Sequence, residues 1–85
     1  MKLTLSKPIK HGDELVVELD LREPTAKEIK VIGLPLNVKD EDVRTEVIHK
    51  YICALAALPP SVVDQMSAKD FIGAMGVVMN FFGES

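Results

Sequence analysis

Residues 15–28, LVVELDLREPTAKE, contain the transition that decides the fold. The first half alternates apolar and polar residues, which is the period of a strand with one buried face. Thr25 and Glu28 then form a capping-box pattern, in which the Thr hydroxyl and the Glu carboxylate satisfy free backbone N–H groups at a helix start. Pro24 favours an extended approach to that start. The predicted apolar face of the strand consists of Leu15, Val17, Leu19 and Leu21.

The residues before this stretch repeat the strand pattern. In residues 2–7, Leu3 and Leu5 alternate with polar side chains, and residues 8–13 supply proline, glycine and aspartate for a turn. We therefore expect an antiparallel β-hairpin in this part of the chain. Since an isolated hairpin is marginally stable in water, its leucine face needs cover from the remaining residues.

Two helices are predicted in the middle of the chain. The first starts at Thr25 and ends near Ile32, because a glycine and a proline follow, and residues 33–39 form a loop. The second begins near Asp40 and runs to Leu58, where two prolines stop it. Apolar side chains recur along it at helical spacing and predict a core face. This face consists of Val43, Val47, Ile48, Tyr51, Ile52, Ala54, Leu55 and Leu58.

The last third of the chain is also predicted to be helical. Residues 61–66 form a turn or two, and a last helix runs from about residue 68 to residue 82. Ser67 and Asp70 mark its start as a capping residue and a first-turn carboxylate. One arc of apolar side chains along this helix is the expected core face. It consists of Ala68, Phe71, Ile72, Met75, Val78, Met79 and Phe82.

A second apolar group on the last helix, made of Ala74, Val77 and Phe81, lies outside that arc. A small domain has little interior for two faces of one helix. For Val77 and Phe81 the alternatives are an interface with a partner and burial under the hairpin. We interpret Met75 and Met79 as flexible core filler.

These elements predict an α+β fold, with an N-terminal antiparallel β-hairpin packed against three to four helices in a single domain, residues 1–85. With 47% hydrophobic residues among 85, the chain has more apolar surface than so small an interior buries. The surplus indicates an interface with a partner, or with a second copy in a homo-oligomer.

Composition also excludes several classes of function. The net charge of −3 and the lack of a basic cluster argue against nucleic-acid binding. No continuous hydrophobic run indicates a secretory signal or a membrane span, and a single cysteine fits a reducing cytoplasm. Without a phosphate loop, a paired-cysteine motif or a nucleophile elbow, we predict no enzyme, no catalytic residue and no cofactor.

The closest approach to a metal site is the set Glu46, His49 and Cys53, which falls on one side of the predicted long helix. A closed site needs four ligands, and His11 is the only other histidine of the sequence. We therefore interpret this set as a solvated polar face with a small cysteine beside it, and predict no metal.

Three segments form an ordered set along the chain: LTLSKPI at 3–9, LDLREPT at 19–25 and ALAALPPSVVDQMSAKDF at 54–71. Together with the apolar run to Phe82, they resemble the small tail assembly chaperones of Mu-like and related contractile-tailed phages and prophages. The resemblance covers nearly the whole chain, and residues 33–40 are its least distinctive part.

The resemblance implies a non-enzymatic protein of the bacterial host cytoplasm. Such chaperones are thought to bind the tape measure protein, keep it soluble and help tail tube subunits assemble around it. The implied partners are the tape measure protein, the tail tube protein and a longer form of the chain made by frameshifting, which the run Phe81, Phe82, Gly83 would permit if its codons are slippery. The alternative is a small acidic antitoxin or inhibitor-type module.

The predicted residues divide into two groups. Arg22 is interpreted first as a structural residue that holds the strand-to-helix corner, and second as a contact for a partner's acidic residue. The predicted partner-binding residues are Ala74, Val77, Phe81 and Phe82. The predicted structural residues are Leu21, Arg22, Pro24, Thr25, Glu28, Ser67 and Asp70.

Overall fold

The computed structural model describes residues 1–35 and 38–83, so the predicted loop at 33–39 lies partly outside the described residues. The described part has an antiparallel hairpin followed by helices, which confirms the predicted α+β fold. None of its helices has both the length and the apolar character needed to cross a membrane. The elements are β1 (Lys2–His11), β2 (Glu14–Asp20), α1 (Ala26–Ile32), α2 (Glu41–Ala56), α3 (Pro60–Val63) and α4 (Ala68–Phe81).

The helix starts follow the predicted chemistry. The Thr25 side chain accepts a hydrogen bond from the Glu28 amide, and the Glu28 carboxylate accepts one from the Thr25 amide. The Asp40 carboxylate caps α2, and the Ser67 hydroxyl caps α4 by accepting from the Asp70 amide. Helix α2 ends at Ala56, because the capping residue Ala57 has left-handed backbone angles (φ 56°), so the helix is slightly shorter than predicted.

One core joins the hairpin to the helices. The Tyr51 ring lies fully buried at its centre, where the hydroxyl donates to the Gly33 carbonyl and the ring contacts Phe82 edge-on at 5.2 Å between centroids. Val43, which the predicted α2 face included, is 48% exposed at the start of that helix. The buried apolar side chains are Leu5, Ile9, Leu19, Leu21, Ile48, Tyr51, Ile52, Leu55, Val62, Val63, Ala74 and Val78.

The predicted leucine face of β2 is wrong for its first half. Leu19 and Leu21 are buried, but Leu15 is 64% and Val17 is 56% exposed. The cause is a register shift, because β1 advances six residues from Leu3 to Ile9 while β2 retreats only three, from Leu19 to Val16. A shift by an odd number reverses which side chains point inward. Val16 therefore packs against the core in place of Val17.

The predicted core face of α4 is also wrong in part. Its buried residues are Asp70, Ala74 and Val78, whereas Ile72 is 65% exposed. The helix is rotated so that Asp70 faces β1, where its carboxylate accepts hydrogen bonds from the backbone amides of the register shift. This long-range bond brings the second apolar group of the helix toward the core and turns part of the expected face outward. Phe71, Met75, Met79 and Phe82 remain partly buried.

Candidate partner-binding surfaces

The corner between β2 and α1 is held by Arg22. Its two terminal nitrogens donate to the two carboxylate oxygens of Glu28 at 2.7 and 2.5 Å. The same guanidinium reaches the carbonyls of Glu23 and Ala54 at 3.2 and 3.4 Å. Hydrogen bonds from Arg22, and then from the Thr25 amide, lower the pKa of Glu28 to about 2. The Arg22 donors are thus directed at groups of the chain itself, which fits the structural role.

Phe81 and Phe82 lie at the end of α4 and line an open groove of about 440 Å³, here called the C-terminal groove. Its opposite wall is formed by Pro24 and Ile29, from the corner that Arg22 holds. Val77 lies about one helical turn before Phe81, and the side chains of Val77, Phe81 and Phe82 are all half-buried against the core. The groove also includes Glu23 and Asn80. The predicted apolar contact residues are therefore neither fully exposed nor fully covered.

Ala74 is an exception among the predicted partner-binding residues. It is fully buried in the core, because the rotation of α4 toward β1 carries it inward. A residue without exposed surface is not a contact for a partner of the folded chain. The structural residues Ser67 and Asp70, in contrast, both form hydrogen bonds that fix the start of α4.

A larger open groove, of about 520 Å³, lies between α2, α3 and α4 and is here called the three-helix groove. Its apolar lining includes Val63, Met66 and Phe71, and its polar lining includes His49 and Asp64. Sequence reasoning missed it because its walls come from helices whose relative packing the pattern does not specify. The available signal was the predicted solvated face of the long helix, because two of its residues, Glu46 and His49, line this groove. The remaining lining residues are Thr45, Glu46 and Ala68.

The three side chains that came closest to a metal site in the sequence, Glu46, His49 and Cys53, have other surroundings in the structure. His49 Nε2 lies 2.9 Å from the Asp64 carboxylate, and the Cys53 sulfur lies 4.0 Å from the same nitrogen. Burial first, and the Asp64 charge second, raise the pKa of the Cys53 thiol, which favours its neutral form. Glu46 lies in the lining of the three-helix groove. Within residues 1–35 and 38–83, no three acidic, histidine or cysteine side chains group as metal ligands.

The chain is similar to a known protein family along nearly its whole length. Residues 2–83 match the family described as "Phage tail assembly chaperone proteins, E, or 41 or 14". Neither the curated proteins nor the solved structures include a match to the chain. Since the family match extends over nearly all of the sequence, it confirms the resemblance drawn from the three segments. The chain therefore belongs to the phage tail assembly chaperone family.

Proposed function

We propose that this protein is a non-enzymatic chaperone that binds the tape measure protein in the cytoplasm of the bacterial host and assists assembly of the tail tube. The single observation that carries the proposal is the family match over residues 2–83. The same match favours a role in tail assembly over the alternative of an acidic antitoxin or inhibitor.

The C-terminal groove supports a contact with a helical partner. An amphipathic helix binds by placing apolar side chains into a groove at helical spacing. Phe81 and Phe82 offer aromatic surface on one wall, and Pro24 and Ile29 offer a second wall held by the rigid corner. Half-buried aromatic side chains in such a position are typical anchors of an interface. The net charge of −3 helps to keep a complex with an aggregation-prone partner in solution.

The proposal is tested by co-expression with the tape measure protein encoded nearest to the gene. A tag on the small chain is used to measure how much tape measure protein co-purifies from the soluble fraction. We expect co-purification with the wild-type chain, and a loss of most of it with the double variant Val77→Ser, Phe81→Ser.

The matched control is Ile72→Ser, because Ile72 lies on the same helix and is 65% exposed on another face. It should co-purify the tape measure protein as well as wild type. Circular dichroism at the working temperature verifies that each variant is folded. If the double variant retains wild-type co-purification, neither Val77 nor Phe81 is a contact residue, and of these two Phe81 lines the C-terminal groove. If the wild-type chain leaves the tape measure protein insoluble, the proposed function itself is wrong.

A further inference from the structure

The two outer edges of the hairpin differ in the hydrogen bonds that they form with the rest of the molecule. On the β1 side, the Asp70 carboxylate accepts hydrogen bonds from the amides of Ser6, at 2.9 and 3.0 Å, and Lys7, at 3.3 Å. Farther along, the Gln65 carboxamide accepts from the Lys10 amide at 2.9 Å and donates to the Lys10 carbonyl at 2.8 Å. These side chains occupy backbone groups that another strand would otherwise pair with.

On the β2 side, the ladder itself shows which backbone groups point outward. Met1 and Leu21 exchange two backbone hydrogen bonds and so form a hydrogen-bonded pair. In an antiparallel ladder such pairs alternate with pairs whose N–H and C=O groups point away from the partner strand. Asp20 and Glu18 lie one and three positions from Leu21 in the same register. Their backbone groups therefore point to the outer edge of β2.

On the turn side of the register shift, the backbone N–H and C=O groups of Leu15 also point to the outer edge of β2. It opposes Lys10, whose amide and carbonyl point outward to Gln65. The opposite member of such a pair also directs its backbone groups outward. Among the described residues, no hydrogen bond from outside the hairpin reaches the backbone of Leu15, Glu18 or Asp20. In the described part of the molecule, side chains of other elements thus bind the β1 edge at Ser6, Lys7 and Lys10, whereas none binds the β2 edge. The outward groups of Lys2 and Thr4 on β1 have no such partner either, but a basic strand is attracted to the acidic side chains of β2.

We propose that the open edge of β2 binds an extended segment of a partner protein by strand addition, and that this segment carries lysine or arginine at alternate positions. The charged side chains of β2 are all acidic: Glu14, Glu18 and Asp20. Opposite charges on neighbouring strands stabilise pairing, whereas like charges oppose it. The added strand also covers part of the exposed apolar side chains of Leu15 and Val17.

The same charges argue against a second copy as the occupant. When the outward groups of Glu18 and Asp20 of two copies pair with each other in antiparallel fashion, Glu18 of each copy lies opposite Asp20 of the other. Such pairs are destabilising. The basic groups within reach are Lys2 Nζ, 3.9 Å from Glu18, and the N-terminus, 3.6 Å from Asp20, and both ion pairs are solvent-exposed. An added basic strand can therefore compete for these carboxylates at little cost. This inference does not depend on the identity of the partner in the C-terminal groove.

Hydrogen exchange with a designed peptide tests the proposal on the full chain. The probe is an acetylated and amidated peptide of about seven residues, a common strand length, in which lysine alternates with valine and threonine. The control peptide replaces each lysine by glutamate. At a concentration that occupies nine-tenths of the sites, the basic peptide should slow exchange of the Leu15, Glu18 and Asp20 amides about tenfold, because exchange then occurs from the free form. The glutamate peptide should leave these rates unchanged.

A pair of proline variants separates edge pairing from attraction to charge alone. Glu18→Pro removes one outward amide from β2, and Thr4→Pro removes the outward amide of the residue opposite it on β1. We expect Glu18→Pro to weaken peptide binding about tenfold and Thr4→Pro to leave it unchanged, with 1.4 kcal/mol corresponding to each factor of ten. Glu18→Gln, which keeps the amide, should weaken binding only about threefold. Thermal melts verify that the variants are folded.

Three results would overturn the proposal. The first is protection of amides elsewhere than on β2, or of none, at saturating basic peptide. The second is equal loss of binding in Glu18→Pro and Thr4→Pro while both remain folded. The third is sedimentation of the chain as a dimer whose Leu15, Glu18 and Asp20 amides are already protected without peptide, since a second copy would then occupy the edge.

Discussion

Two carboxylates organise this molecule, Glu28 at the corner between β2 and α1 and Asp70 at the junction between β1 and α4. Glu28 binds Arg22, six residues away along the chain, on a surface where Arg22 is half exposed. Asp70 binds the amide of Ser6 across 64 residues and is 5% exposed. The first contact is local and exposed, whereas the second is long-range and partly buried.

The difference predicts unequal contributions to stability. An ion pair near the surface contributes little, because water and salt screen it. Deleting a buried acceptor leaves backbone amides without a partner, and their lost hydration is not recovered. The Asp70 junction should therefore matter more than the Arg22 corner, although the corner has the more conspicuous charge pair. Three experiments test this order, from the largest expected effect to the smallest.

Asp70→Ala should have the largest effect. The variant leaves the amides of Ser6 and Lys7 without their acceptor and removes the bond that orients α4. We expect the melting temperature to fall by about 10 °C or more. The measurement is thermal unfolding followed by circular dichroism at near-neutral pH. The control is Lys69→Ala, an exposed neighbour on the same helix, which should melt close to wild type. A fall no larger than that of the control would show that the junction is not the dominant polar contact.

Glu28→Gln should have a smaller effect that depends on pH. The pKa of Glu28 in the folded chain is about 2, below its ordinary value of 4.5, so the unfolded chain binds the proton more readily. The stabilisation is fully present above about pH 4.5 and is lost as the pH falls toward 2. The difference in melting temperature between wild type and variant, a few degrees near neutral pH, should therefore shrink to near zero at pH 2.

Because the amides of Ser6 and Lys7 also lower the pKa of Asp70, both proteins lose stability in acid. The informative quantity is therefore the difference between wild type and Glu28→Gln. If that difference stays constant from pH 6 to pH 2, Glu28 does not stabilise the corner through its charge. The variant Arg22→Ala should reproduce the flattened pH dependence, since it removes the main donor to the carboxylate.

Gln65→Ala should have the smallest effect of the three. Its two hydrogen bonds to the Lys10 backbone are exposed, so water replaces them when the side chain is removed. We expect the free energy of unfolding to fall by about 0.5 to 1 kcal/mol. Urea unfolding measures this change, with Ser61→Ala, at an exposed position of α3, as the control. A loss as large as that of Asp70→Ala would contradict the distinction between exposed and buried junctions.

The local contacts around Glu28 could be predicted from the sequence. Thr25 and Glu28 form the expected capping box, and the boundaries of α1, α2 and α4 lie within two residues of the predicted ones, because caps and prolines act over three or four residues. Helix α3 ends at Val63, three residues before the predicted end. The nearby Arg22 contacts Glu28, which is close in the chain, and this contact fits the predicted structural role of Arg22.

The long-range contacts of Asp70 with β1 could not be predicted from the sequence. Apolar periodicity assigned α4 a core face that included Ile72, and nothing in the pattern indicated that Asp70 would turn inward to meet β1. The register shift that exposes Leu15 and Val17 depends on the same junction, because its free amides are the ones that Asp70 binds. The shapes of the two grooves also depend on helix packing, which the pattern does not specify. Individual lining residues were nevertheless expected at a surface: Phe81 and Phe82 in the C-terminal groove, and Glu46 and His49 in the three-helix groove.

The β1 edge can be covered only late in synthesis, and the hairpin is prone to aggregation until then. The ribosome makes the hairpin first, but the side chains that close its edge, Gln65 and Asp70, emerge 55 and 64 residues after the backbone groups they bind. Until then the nascent hairpin has two open edges and an uncovered apolar face, which are features that promote association between chains. A chain interrupted before residue 65 should therefore be prone to aggregate. Helix α4 then covers the β1 edge at Ser6 and Lys7, so one of the two open edges is removed only when the last helix has been made.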